Sequence, residues 1–159
     1  MIYQVTKIGA AVDQIDWAIK LFLDHRAYVP SITLAGAAEE IIGETLSSEA
    51  AFHQLVEKIS HEFDIPERNV GREYLNKIRN WLKHWGRMED AEIIDIDLEA
   101  EAIQYIVRAI ANLYSHDRTA TSETPRFLEW LSKNSVFNDE EMQKIFSDFK
   151  LAGLLPPTK

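Results

Sequence analysis

Apolar residues recur at three- and four-residue steps along most of the chain. That spacing predicts amphipathic helices rather than strands. Ile8, Ala11, Ile15, Ala18, Ile19 and Phe22 mark a first helix ending near Asp24 or His25. A second runs from about Tyr28 to Leu46, with Pro30 in its first turn, where a missing N–H is tolerated. Its Ala35-Gly36-Ala37-Ala38 run lets a neighbouring backbone come close. Ser47-Ser48 offers an N-cap for a third helix carrying Phe52, Leu55, Val56, Ile59 and Phe63, and Asp64-Ile65-Pro66 breaks it. Leu75, Ile78, Leu82 and Trp85 give a fourth helix with Gly86 as its C′ residue. The acidic stretch from Arg87 to Asp97 is irregular, and an extended segment fits only at Glu92 to Ile96. Asp97 caps a fifth helix with Glu99 and Glu101 in its first turn and Ile103, Ile106, Val107, Ile110, Leu113 and Tyr114 as its stripe. Thr124-Pro125 opens a sixth through Leu131, and Asn138-Asp139-Glu140-Glu141 a seventh that stops by Gly153 and Pro156-Pro157.

Seven stripes and no alternating segment make the expected fold all-α, in a single domain over residues 1–159. A hydrophobic share of 46% is enough for a core of that size. The absence of cysteine excludes a disulfide framework, thiolate metal ligation and a thiol nucleophile. The histidines show no tight ligand spacing, so neither a metal nor another cofactor is expected. No strand–glycine loop–helix pattern suggests a Rossmann or P-loop site. Met1 to Ala10 has one lysine and no continuous apolar run, and no stretch is long enough to span a bilayer. The expected location is therefore the cytoplasm, without membrane contact.

Charge sharpens this picture in one place. The total is −9, which argues against broad electrostatic binding of nucleic acid. Residues 66–88 nevertheless hold Arg68, Arg72, Lys77, Arg79, Lys83 and Arg87 against Glu67 and Glu73, a local +4 that leaves −13 for the remainder. That basic stretch contains Arg79-Asn80-Trp81-Leu82-Lys83-His84. An arginine fork can hold a phosphate, a histidine can move protons near neutrality, and an amide can orient either group. Together they suit transesterification of an RNA phosphodiester. Arg79 would stabilise charge on the nonbridging oxygens, His84 would act as base or acid, and Asn80 would orient it. Lys77, Lys83 and Arg87 are the candidate substrate-binding cations. On an ideal helix Asn80 and His84 share one face off the core, whereas Arg79 lies about 140° around from His84. A common site then needs a curled arginine, an unwound last turn before Gly86, or a second chain. Trp81 and Trp85 read as core or interface residues rather than stacking platforms.

With those residues in place, the chain resembles HEPN-type domains, small helical bundles found in nucleases and toxin–antitoxin systems. Their hallmark is Arg, a polar residue, three variable positions and His, matched by Arg79-Asn80-Trp81-Leu82-Lys83-His84. Tyr28 to Glu40 is similar to the family's small-residue helix, with its alanine-rich turn and glutamate. The resemblance covers about residues 8–115, leaving 124–151 as a C-terminal two-helix extension. It implies an antiparallel bundle, a homodimer whose motif helices line one cleft, and metal-independent RNA cleavage. RNA and an antitoxin protein are the partners it brings in. Three functions stay open: endoribonuclease of a toxin or defence system, noncatalytic RNA- or nucleotide-binding module, and structural interaction domain.

Overall fold

In a computed structural model, residues 2–84 and 93–134 are described, and all their regular structure is helical. The helices are α1 (Lys7–His25), α2 (Tyr28–Leu46), α3 (Ala51–Phe63), α4 (Glu67–Asn69), α5 (Lys77–Lys83), α6 (Leu98–Asp117) and α7 (Thr124–Asn134). A 3₁₀ turn, Ser47–Glu49, precedes α3, and a π-helical stretch, Val70–Leu75, joins α4 to α5. The all-α expectation holds over these residues. The expected seventh helix, at 138 onward, and Trp85, Gly86 and Arg87 lie outside them, as does Glu92 of the extended segment.

Packing follows from which faces are apolar. The first helix ends where Arg26 takes left-handed backbone (φ 51°) and the Ala27 N–H bonds the Leu21 carbonyl at 3.0 Å. Two residues then suffice to turn α2 back along α1. Ser31 Oγ donates to the Ala18 carbonyl at 2.9 Å, and the Phe22 and Tyr28 rings lie 5.5 Å apart, which fixes an antiparallel pair. By contrast, α6 runs parallel to α2. Tyr28 meets Glu99 at one end, Glu39 meets Arg108 midway, and Thr45 meets His116 at the other. A parallel neighbour requires a crossover, and residues 47–97 supply it. Among the described helices, α1 thus runs antiparallel to both α2 and α6.

The main core gathers Ile15, Ile19, Ile32, Ile42, Ile103, Ile106, Ile110 and Phe127, all fully buried. A smaller core of Val56, Val70 and Leu75 holds the crossover together, with Phe52, Leu55, Ile59 and Ile65 packed on it. Phe63, assigned to the α3 stripe by its spacing, is 62% exposed instead, because the helix ends at Asp64 beyond the reach of that small core.

Two of the expected caps are replaced by distant side chains. Ser47-Ser48 turns into the 3₁₀ segment, and the Ala51 N–H at the head of α3 bonds Asn112 Oδ1 on α6 at 2.8 Å. At α7, Asp16 of α1 accepts from the Glu123 N–H at 3.0 Å and the Ser122 hydroxyl at 2.7 Å, while Thr124 Oγ1 accepts from the Thr121 N–H. Asp97 caps α6 as expected, accepting from the Glu99 and Ala100 N–H groups at 3.1 and 3.0 Å. On α6 itself the apolar stripe understates the burial. Val107 and Tyr114 are half-buried, whereas Tyr105, Arg108 and Asn112 are buried.

Arg108 is the centre of this arrangement. Its Nε lies 3.1 Å from Glu39 Oε1 and its Nη2 donates to Glu39 Oε2 at 3.1 Å. Both side chains are at most 4% exposed. Burial pushes the Glu39 carboxyl above its ordinary value, although the Arg108 and Arg79 guanidinium groups pull the other way. Arg108→Met should therefore cost roughly 3–5 kcal/mol, because it leaves a buried carboxylate uncompensated. A Glu39→Leu/Arg108→Met double variant should regain most of that loss. Urea denaturation of the three proteins checks both expectations.

Burial alone would raise the Asp16 carboxyl, but hydrogen bonds from Thr121, Ser122 and the Glu123 N–H, with Lys20 nearby, bring it below the usual value of 3.8. A depressed carboxyl stabilises the fold above its unfolded-state pKa and loses that effect as pH falls through its lower native value. Asp16→Asn should lower stability by about 1 kcal/mol at neutral pH, as loss of a helix cap does. The gap between the two proteins should shrink below pH 3.8 in acid denaturation curves.

Candidate functional site

The motif helix owes its placement to the break before it. Asn76 leaves helical geometry (φ −116°, ψ 7°), so the Leu75 carbonyl is free of the helix ladder. Tyr105 Oη donates to it at 2.8 Å and Arg108 Nη1 at 3.3 Å. A π-helical stretch carries an extra residue per turn and shifts the phase of everything after it. The fourth helix expected on Leu75, Ile78, Leu82 and Trp85 is therefore interrupted: Leu75 closes the π-helical stretch, and α5 starts afresh at Lys77.

The new phase turns Arg79 inward. Its Nη1 donates to the Gly36 carbonyl at 3.3 Å and lies 3.3 Å from Glu40 Oε2. Lys83 Nζ is 3.4 Å from the same Glu40 oxygen. The Arg79 side chain is only 14% exposed, and its Nε is enclosed with no hydrogen-bond partner. Arg79 is thus packed, whereas its position on the wheel, off the Leu75/Ile78/Leu82/Trp85 face, would leave it clear of the core. Gly36 makes the approach possible, since a Cβ there would stand 2.9 Å from Arg79 Cδ and 3.5 Å from Tyr105 Cδ1. The small residues of α2 thus admit a neighbour from the same chain.

His84 does not occupy a last helical turn. Lys83 ends α5, and His84 caps it with extended backbone (φ −126°, ψ 113°) and an exposed side chain. Among the described residues no hydrogen bond or ion pair joins its ring to Arg79. Asn80 is half-buried and lines a second cleft with His53, Arg68, Arg72 and Asn76, a cleft that His84 does not line. Lys77 is exposed, and Arg87 lies outside the described residues. The fold brings Arg79 and Lys83 together and leaves His84 apart from them.

Beside Arg79, between the main bundle and the crossover, is a cleft of about 310 Å³. Glu39, Glu40 and Glu44 of α2 form one wall, Phe52 and His53 of α3 another, and Asn76 and Arg79 complete it. None of these residues except Arg79 was among the sequence candidates. A signal for part of the set was present. Glu101, Tyr105, Arg108 and Asn112 are spaced four, three and four apart on α6, a polar stripe running beside the apolar one. Asn112 Nδ2 donates to the Glu39 carbonyl at 3.0 Å, so this stripe supports the glutamate wall from behind. No protein-family model, curated protein or solved structure matches the chain.

Proposed function

We propose that this protein is a metal-independent endoribonuclease of HEPN type, acting as a homodimer in a toxin or defence system. One observation carries the reading. Arg79 and Lys83 converge on a single carboxylate oxygen of Glu40, at 3.3 and 3.4 Å. Two cations gathered about one anionic oxygen form a place that a phosphate oxygen can take over. Lys83 is exposed enough to follow a substrate, while Arg79 is held by the Gly36 carbonyl. His84, at the exposed helix end, is free of core packing and can meet a 2′-hydroxyl or a leaving 5′-oxygen. In this mechanism the 2′-oxygen attacks phosphorus as a base removes its proton. The 5′-oxygen departs with a proton from an acid, leaving a 2′,3′-cyclic phosphate. Arg79 stabilises charge on the nonbridging oxygens, and Asn80 has the orienting role.

A second reading, a noncatalytic RNA- or nucleotide-binding module, is favoured by the separation of His84 from Arg79 within one chain. Pairing of two motif helices across a dimer would bring His84 of one chain toward Arg79 of the other. An antitoxin protein would be the regulatory partner under the first reading.

Purified protein should cleave RNA in EDTA and give 2′,3′-cyclic phosphate ends. His84→Ala and Arg79→Ala should each lower the rate by about 10²- to 10⁴-fold, and Asn80→Ala less. Because Arg79 is packed, circular dichroism melts must accompany its variant, while exposed His84 should leave the melt unchanged. RNA binding without cleavage, or normal cleavage by His84→Ala, would replace the first reading with the second. Light scattering at high micromolar concentration should give twice the 18.3 kDa of one chain. A monomer would remove the shared cleft on which the His84–Arg79 pairing depends.

A further inference from the structure

The cleft beside Arg79 holds chemistry that a phosphate contact does not use. Glu44 lies one turn beyond Glu40 on α2 and lines the cleft. Among the described residues its carboxylate has no ion pair or side-chain hydrogen bond. Across from it, the exposed His53 ring meets the half-buried Phe52 ring edge-on, 5.5 Å apart at 72°. Asn76 adds an enclosed Oδ1 that receives no hydrogen bond. The cleft volume of about 310 Å³ sits at the small end of ligand pockets.

These groups select a kind of ligand. The glutamates oppose a second phosphate in the cleft. An unused carboxylate facing an exposed aromatic ring calls for a flat ring with N–H donors, which stacks and hydrogen-bonds at once. Among the RNA bases only guanine carries two parallel N–H donors on one edge, the ring N1–H and the 2-amino group, to match both oxygens of a carboxylate. Adenine and cytosine place an acceptor in the ring where guanine has its N–H. Uracil has a single N–H flanked by two carbonyls.

We propose that this cleft is a guanine subsite, with Glu44 binding the N1–H and 2-amino edge, the exposed His53 ring as the stacking surface with Phe52 edge-on behind it, and Arg79 marking the adjoining phosphate position. The proposal rests on the reading of Arg79 as an RNA-phosphate ligand, and it names the base that such a site would prefer.

Calorimetric titration of the full chain with the 5′-monophosphates of guanosine, adenosine, cytidine and uridine tests the subsite without cleavage. Guanosine monophosphate should bind about ten-fold more tightly than the others, the scale of one charge-assisted hydrogen bond. Glu44→Gln should erase that preference, because its amide turns a donor toward the donors of guanine. Glu44 is exposed, so the variant should melt like the wild type. Equal binding of all four nucleotides, no binding of guanosine monophosphate, or an unchanged preference in Glu44→Gln overturns the subsite. Mapping cuts in an RNA of mixed sequence separates the two ideas. Cleavage indifferent to guanine removes the subsite and keeps the ribonuclease. Selective guanosine monophosphate binding without cleavage keeps the subsite and removes the ribonuclease.

Discussion

The buried pair of Glu39 and Arg108 is the constraint on which the rest of the structure depends. Replacing such a pair with well-packed apolar residues is often neutral or stabilising, so its contribution is poorly described as added stability. Its effect here is register. Sliding α6 along α2 by one turn, about 5.4 Å, would leave two buried charges without partners. Glu39 and Arg108 therefore oppose every alternative alignment of two long parallel helices whose apolar faces alone would tolerate a slip. The flanking contacts, Tyr28 with Glu99 and Thr45 with His116, are exposed and weaker, and they fall into place once the centre is fixed.

The same arginine reaches a third element. Arg108 and Tyr105 both donate to the Leu75 carbonyl, which is available only because the helix breaks at Asn76. The break is thus tied to the core through the groups that align α2 and α6. From that anchored point α5 begins with Lys77, and two residues later Arg79 meets Gly36 on α2. The path from the buried pair to the candidate anion site is short: Arg108, Leu75, Asn76, Arg79. The π-helical stretch matters because it sets which way Arg79 faces, and a regular helix would have turned it elsewhere.

These features explain what was legible in the sequence. The end of α1 and the cap of α6 could be read because they depend on local pattern: a 3.6-residue apolar repeat and an aspartate before a run with acidic first-turn residues. The caps of α3 and α7 could not, because Asn112 and Asp16 supply them from elsewhere in the chain. The break at Asn76 was invisible for a related reason. Leu75, Ile78 and Leu82 keep helical spacing straight through it, and the carbonyl it frees has partners more than 25 residues away. The wheel is silent on that break, and with it on the turn of Arg79 toward Gly36. The motif residues were legible as chemistry but not as geometry, and the wall of Glu44, Phe52 and His53 required the fold.

Glu40 reconciles an acidic chain with a site for an anion. Arg79 and Lys83 repel each other, and with so little of Arg79 exposed, water screens that repulsion weakly. A shared carboxylate oxygen removes the repulsion and holds both cations near the geometry a phosphate would need. The same oxygen competes with any phosphate that arrives. Competition of this kind lowers affinity for isolated anions, whatever their source, while a polynucleotide can offset it with contacts beyond the phosphate. On the proposed reading, those contacts come from the base in the neighbouring cleft and from the second chain. Discrimination then belongs to the whole nucleotide rather than to its charge. Such a site would ignore most polyanions in a cell, as expected of a protein whose net charge is −9.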